Sequence, residues 1–504
     1  MMAEDKEQLP SEYYNSRLSD RKAFEDRAEK FAEVTIPALF REEGSSGADK
    51  LPRKYVQSLG AKLVKNLGSK IALTLFPPNS SSFKLTPDAE TLAAVTAGDK
   101  NMLTIINKDL SQAVDIINNE IERQDIRKHV FTLIDHQLVI GSCIMEKIPQ
   151  KGIKIHGLRN IAFTLDDMGE AYDMCVVEEL NKLPEDLRSE ETENQDSYEL
   201  YTRCQYNYDN KKWEVTQEVN GVIVGDIQTY NDDNVPFSYQ GMIWNIGEKA
   251  HRPFVEDYYG SLNAYNQLSK LLTQGSVVAA KTLLFVDERG ARTRKEDVAG
   301  SENGAVLDGR ADDVTPFVLG KNYDFQVPMQ VRAEFRDELE EAFLSKSSIT
   351  RQAERVTAEE IHEMAEELES AMAGVYAVIS NRIPKRIVTW IMQELDIKFE
   401  SIEVSIITGL NALGMSNEIM KLDGLMTRLG QLNLQDYINN DELIDRYASG
   451  YGVNTVNLIK TGQQVSKERQ QAQEAAMMQQ AGESGAESLG KEAGKKLVQG
   501  RQGQ

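Results

Sequence analysis

The chain has 504 residues, 40% of them hydrophobic, 27% charged, with a formal net charge of −23. That length can bury a substantial core spread over about two to four domains or subdomains. The acidity excludes general attraction to nucleic acid, which is driven by phosphate neutralisation, but not DNA as a passing partner, because a basic surface would hold sliding DNA back.

The acidic start "MMAEDKEQLPSEYYNSRLSD" lacks the basic residues and apolar run of a signal peptide. No run of about 18 apolar residues predicts a spanning helix. Cys143, Cys175 and Cys204 are odd in number and far apart. That argues against a disulfide framework or a zinc site and fits a reducing compartment. A helix is predicted from about residue 17 to 40, broken at Pro37. After the loop "SSGADKLPRK", Leu59, Leu63, Leu67, Ile71 and Leu75 recur every fourth residue. Lys62, Lys65 and Lys70 lie between them, so the reading is one apolar stripe with a basic flank, stopped by "FPPNSSS". Amphipathic helices follow over about 99–122 and over Ile126–Val139.

From about 142 to 245 the period changes to two. "SCIMEKI", "GIKIHG", "CVVEEL", "SYELYTRCQYN", "KWEVTQEV" and "GVIVGDIQ" read as short strands of an antiparallel subdomain. "LDDMGE" and "YDNKKW" read as turns, and Asn220-Gly221 carries hairpin turn chemistry. Helix returns at about Pro253 and runs to about 282, with Gly260 and Gly275 as bending points. A turn-rich, partly strand-like module separates it from a second helix over about 327–344. Two helices bracketing a small module make a stalk with a tip.

Beyond the polar stretch "LSKSSITRQA", "ERVTAEEIHEMAEELESAMAGVYAVIS" begins a sharply capped helix. Thr357 and Glu360 have the spacing of a capping box, each side chain reaching the other's backbone N–H. Pro384 is expected to kink or break this helix, with a further helix over about 384–394, a strand near 398–406 and more helix between about 415 and 460. From about Gly462 the composition turns to Gln, Ala, Gly, Ser, Lys and Glu, with little to bury.

The search for chemistry is largely negative. There is no phosphate loop, no dinucleotide fingerprint, no nucleophile elbow and no C-x-x-C. "IHEMAEE" brings His362, Glu363 and Glu366 together but lacks the second histidine of a zinc helix, so its acids read as a solvated first turn. Asp166–Asp167 and Asp312–Asp313 read as turn residues. Neither catalysis nor a cofactor or metal is expected. Two basic groups stand out: Lys346, Arg351 and Arg355 before the capped helix, and Arg289, Arg292, Arg294 and Lys295 in the tip module. Each is either ordinary surface charge or a contact for phosphate or an acidic partner.

The order of several stretches resembles the portal, or head-to-tail connector, family of short-tailed double-stranded DNA bacteriophages. "KNLGSKIALTLFPP", "LVIGSCIMEKIP", "RPFVEDYYGSLNAYNQL", "ERVTAEEIHEMAEELESAMAGVYAVIS" and "VSIITGLNALGMS" carry it, across roughly residues 20–460. The resemblance implies an α+β, mainly helical portal fold with an antiparallel β subdomain in its wing. The wing would be 1–252, the stem helices 253–282 and 323–344, and the clip 283–322. A tunnel loop would be 345–356, a long wing helix and its following segment 357–410, a crown 411–461 and a tail 462–504.

It further implies a homo-oligomeric ring, usually a dodecamer, at one capsid vertex of the virion, assembled in the host cytoplasm. Its partners would be scaffolding protein, major capsid protein, large terminase, tail adaptor or nozzle proteins, internal core proteins, and double-stranded DNA passing non-specifically. Lys346, Arg351 and Arg355 would then form basic rings facing DNA, with Thr357 and Glu360 anchoring the loop that carries them. Arg289, Arg292, Arg294 and Lys295 would dock terminase and adaptor. The competing readings are another internal core or scaffold protein of a virion, and a metal-dependent hydrolase built around His362.

Overall fold

The computed structural model describes residues 8–40, 57–78, 81–87, 100–181, 197–279, 282–286, 314–318, 325–346, 358–372, 374–397, 402–406 and 410–432, with isolated positions beyond. The chain divides into two compact units, residues 1–91 with 114–411, and residues 92–113 with 412–504.

The first unit is ordered around helices and antiparallel sheet. Its opening helices are α1 (Pro10–Ser16), α2 (Leu18–Val34) and α3 (Leu59–Leu75), followed by β1 (Phe83–Pro87). α4 (Lys100–Arg123) has residues in both units, and α5 (Ile126–Val139) follows it. The every-fourth stripe of α3 is the reason for its core position. Leu63, Leu67, Ile71 and Leu75 are all fully buried, as are Leu133 and Leu138 of α5, which packs against it. Each such side chain contributes roughly 2–3 kcal/mol relative to exposure.

Eight strands come next: β2 (Ser142–Ile148), β3 (Gly152–His156), β4 (Ile161–Leu165), β5 (Ala171–Leu180), β6 (Tyr198–Asn207), β7 (Lys212–Val219), β8 (Val222–Tyr230) and β9 (Phe237–Gly241). They form a three-stranded sheet in the order β3-β2-β9 and a five-stranded meander β4-β5-β6-β7-β8, antiparallel throughout. Asn220 and Gly221 join β7 to β8 with φ of 55° and 84°, the left-handed pair that a two-residue hairpin turn needs.

α6 (Phe254–Ala279) leads to β10 (Thr282–Val286), which pairs with β11 (Val314–Val318). α7 (Gln326–Ala342), α8 (Ala358–Met372), α9 (Gly374–Glu394) and β12 (Ile402–Ile406) complete the unit, and α10 (Leu410–Gln431) leads into the second. The predicted strand near 398–406 is β12, and it pairs with β1, so Phe83 lies opposite Ile406.

Several expectations change. The predicted helix at 17–40 ends at Val34, with a short 3-10 turn at Pro37–Leu39, and α1 precedes it. α1 is held from a distance: the Ser11 backbone N–H and hydroxyl both donate to buried Glu218, at 2.7 and 2.6 Å. Arg203 completes the anchor. It makes a forked pair with Asp173 at 3.1 and 2.7 Å, donates to the Gln8 carbonyl at 2.9 Å, and lies over the Tyr13 ring. Strands β1, β4 and β9 also go beyond the sequence reading.

Pro384 does not break its helix in two; it lies inside α9, which runs from Gly374 to Glu394. A mid-helix proline costs about 3 kcal/mol. Burial of Ile379, Ile383, Ile387, Val388, Trp390 and Ile391 around it outweighs that cost. No described helix is long and apolar enough to cross a membrane, and the three cysteines are buried and free.

Candidate functional site

α6 and α7 pack as an antiparallel pair, and their contacts run in opposite chain directions. Phe343 meets Phe254 and Tyr258 edge-on, with ring centroids 5.4 Å apart in each case. Further along, the Ser261 hydroxyl donates to Glu338 at 2.9 Å, and Arg332 lies over Tyr265. At the other end Phe325 crosses Gly275, where a Cβ would sit 2.7 Å from the ring. Gly275 is therefore a close-approach position. The pair is thinly covered. Leu339 is the buried residue of α7, while Leu271, Val277, Val327 and Met329 are more than half exposed.

The end of α7 is built differently. Leu344 has φ of 53°, the left-handed conformation usually given to glycine after a helix. The Ser345 N–H donates back to the Glu340 carbonyl at 2.7 Å, and the Leu344 N–H to the Glu341 carbonyl at 3.0 Å. This double back-bond stops the helix and leaves the last carbonyls pointing away. α3 supplies their donors. Asn66 Nδ2 reaches the Leu344 carbonyl at 3.1 Å and that of Phe343 at 3.4 Å. Lys70 Nζ reaches the Leu344 carbonyl at 2.9 Å and Glu367 Oε2 of α8 at 2.8 Å.

Lys70 is thus not part of a solvated flank. Its side chain is 4% exposed, and that of Glu367 is 27% exposed. A buried ammonium is tolerable only when paired and hydrogen-bonded, and here the Glu367 carboxylate and the Leu344 carbonyl meet that need. Lys62 and Lys65 do lie on the exposed side, where Lys65 pairs with Asp135. Burial pushes the Asp135 carboxyl above the usual range, and Lys65 pulls it back.

The residues singled out in the sequence fall unevenly on this geometry. Lys346 lies just past the helix end and pairs with Asp337 at 3.4 Å, both half exposed, a surface pair worth about 0–1 kcal/mol. Glu360 lies in the first turn of α8, half-buried. Thr357, Arg351 and Arg355 lie outside the described residues, as do Arg289, Arg292, Arg294 and Lys295. The side chain of His362 also lies outside them, while Glu363 and Glu366 are on an exposed face.

Asn66, Lys70 and Glu367 carry the junction; the sequence reading places Lys70 on a basic flank and does not single out Asn66 or Glu367. A signal was present for Lys70. It lies seven residues after Leu63 and three after Leu67, which puts it on the buried stripe.

Among the described residues one group could hold a metal: Glu146, His156 and Glu178. His156 Nε2 lies 2.6 Å from Glu146, and its Nδ1 lies 3.8 Å from Glu178. The two carboxylates therefore address opposite sides of one imidazole, and Lys154 pairs with Glu178. A metal needs its ligands converging on one point, so this cluster reads as a polar bridge between β2, β3 and β5.

Two further histidines lie elsewhere, His136 half-buried and His251 buried. His136 of α5 and His251, whose Nδ1 is 3.1 Å from the Tyr239 hydroxyl, are both pushed by burial down to about 4.

Comparison with known proteins adds a family. A family model described as bacteriophage head to tail connecting protein matches residues 11–459. A protein named portal protein from Enterobacteria phage T3 is 29% identical over 498 residues, 94% of this chain and 91% of its own length. One of the same name from Escherichia phage T7 is 27% identical over 489 residues, 92% of this chain and 90% of its own. Among solved structures, a chain of the virion of a native gene transfer agent particle is 12% identical, with a TM-score of 0.38 over 79% of this chain and 90% of that one.

Proposed function

The chain belongs to the bacteriophage head-to-tail connecting protein family, and we propose that it works as a ring of about twelve copies around a channel for double-stranded DNA. The observation that carries this reading is the family match over residues 11–459, supported by relatives named portal protein that align over most of their length. The exposed apolar residues of α6 and α7 also support it. A closed ring needs a head-to-tail interface on every copy, and Leu271, Val277, Val327 and Met329 are side chains that a neighbouring copy would cover.

In this reading α6 and α7 are the stem, and the β10–β11 ribbon belongs to the clip that docks terminase during packaging and the tail adaptor afterwards. The strand-rich first part is the wing, and residues 411–461 are the crown. The ring sits at one vertex of the virion, nucleates assembly with scaffolding protein, and contacts the major capsid protein and internal core proteins. The chain performs no chemistry. Its −23 charge keeps phosphates from sticking, and sparse basic rings from Lys346, Arg351 and Arg355 give weak contacts without sequence preference.

The test is native mass with negative-stain imaging of the purified chain, with and without scaffolding protein. A ring of about twelve subunits with a central hole is expected. A monomer that persists with scaffolding protein overturns the reading. In particles, reversing charge at Arg351 and Arg355 is expected to impair DNA retention and leave ring assembly intact. Normal retention in that variant removes the basic rings from the mechanism.

A further inference from the structure

The junction at the end of α7 has more built into it than a helix stop requires. The back-bonds of Ser345 and Leu344 already end the helix. The additional donors come from one face of α3, one turn apart, and one of them is a buried charge. Lys70 holds a carbonyl of the outgoing chain with the same ammonium that holds Glu367, a carboxylate of the returning helix. Leu344 and Glu367 are 23 positions apart in the sequence, and one nitrogen lies within 3 Å of both. The left-handed backbone at Leu344 adds to the case. A leucine there is strained by about 1–2 kcal/mol, and strain of this kind persists where surrounding contacts over-determine the conformation.

We propose that Lys70, assisted by Asn66, is a positioning residue that locks the end of α7 to α8 through α3. In doing so it sets where the chain leaves the stem and where it returns. The proposal rests on the channel reading for its consequence: the residues leaving and rejoining at this clamp bracket the segment assigned to the DNA-facing loop. A loop that meets moving DNA is useful only if its two ends do not drift. A buried ammonium with two partners on different helices fixes both ends together, whereas separate caps would fix each alone.

The test uses hydrogen exchange on the full-length chain, with Lys70→Met, Lys70→Arg, Asn66→Ala and Glu367→Gln. Lys70→Met keeps the apolar stem and removes the charge. It is expected to speed exchange about tenfold in residues 339–346 and 358–368 together, with α5 unchanged. Lys70→Arg, which retains the charge and can reach both partners, is expected to restore much of the protection. Asn66→Ala should loosen only 339–346, and Glu367→Gln mainly 358–368.

A rise in only one of the two segments with Lys70→Met, or an equal rise across α3 and α5, overturns the clamp. If Lys70→Met does not fold, the split between Asn66→Ala and Glu367→Gln decides, because both keep the ammonium. In assembled particles, Lys70→Met is expected to form rings and procapsids normally while retaining packaged DNA several-fold less well than wild type. Normal retention overturns the positioning role. If the wild-type chain forms no ring, the channel reading fails, and the exchange result on the folded chain still decides whether Lys70 couples the two helices.

Discussion

Leu67 and Leu271 both lie on amphipathic helices of this chain, and they end in opposite environments. Leu67 on α3 is fully enclosed, with Leu63, Ile71 and Leu75 beside it, whereas Leu271 on α6 is 62% exposed, in company with Val277, Val327 and Met329. The difference is one of available partners. α3 is met by α5, α8 and α9 of the same chain, while α6 and α7 mainly have each other. Beyond its base, where α6 also packs against α2 and α5, the pair cannot cover the apolar residues that face away from its own seam. The helical core is thus complete in one copy, and the α6–α7 pair is complete only with something beside it.

The sharpest way to break that comparison is to remove the same side chain from each region. Leu67→Ala is expected to cost about 4 kcal/mol in urea unfolding, since a fully buried leucine leaves a cavity. Leu271→Ala should stay within about 0.5 kcal/mol in the unassembled chain. Leu271→Asp is expected to leave monomer unfolding equally unchanged and to abolish ring assembly in native mass spectra. Similar unfolding losses at the two leucines would mean that the pair is covered within one chain.

Acid is the next lever, because all the histidines lie outside α6 and α7. Burial lowers His136 and His251 to about 4 in the folded chain, against an ordinary value near 6.5. Below about pH 6.5 the unfolded chain binds protons that the folded chain refuses. Stability is therefore complete above that pH and falls as pH drops toward about 4, by roughly 3 kcal/mol for each group. Urea midpoints measured between pH 7.5 and 4.5 should show this limb, and His136→Asn should flatten it. An unchanged slope in that variant would assign the acid sensitivity elsewhere.

How much of this was readable in the sequence follows from which forces are local. α5 was read to its ends because an apolar periodicity over Ile126–Val139 is a property of the segment itself. The period-two strands and the Asn220-Gly221 turn were legible for the same reason. α1 was not, since Ser11 depends on Glu218 and Gln8 on Arg203, partners about two hundred residues away. β1 is five residues whose partner is β12, and a lone short strand has no period to show. The helix runs on through Pro384 because burial around it is stronger than the local rule that a proline ends a helix. At the junction the exposed cation Lys346 pairs only with neighbouring Asp337 among the described residues. Lys70, a cation on the apolar stripe, was the better signal, since a charge placed there must find buried partners.

The smallest effect tests the boundary between the two regions. Leu344 is left-handed and half-buried, so replacing it confounds lost contacts with relieved strain. Comparing Leu344→Gly with Leu344→Ala separates them, because both lose the same side-chain packing to within one methyl. At an ordinary helical position alanine is the more stable of the two by about 1 kcal/mol. At a left-handed position the order reverses, since alanine keeps the Cβ clash and glycine does not. Leu344→Gly is therefore expected to exceed Leu344→Ala by about 1 kcal/mol in urea unfolding. Alanine ahead of glycine would mean that the backbone at 344 relaxes out of the left-handed region when the side chain is cut back. Asn66 and Lys70 would then be following the end of α7 rather than holding it.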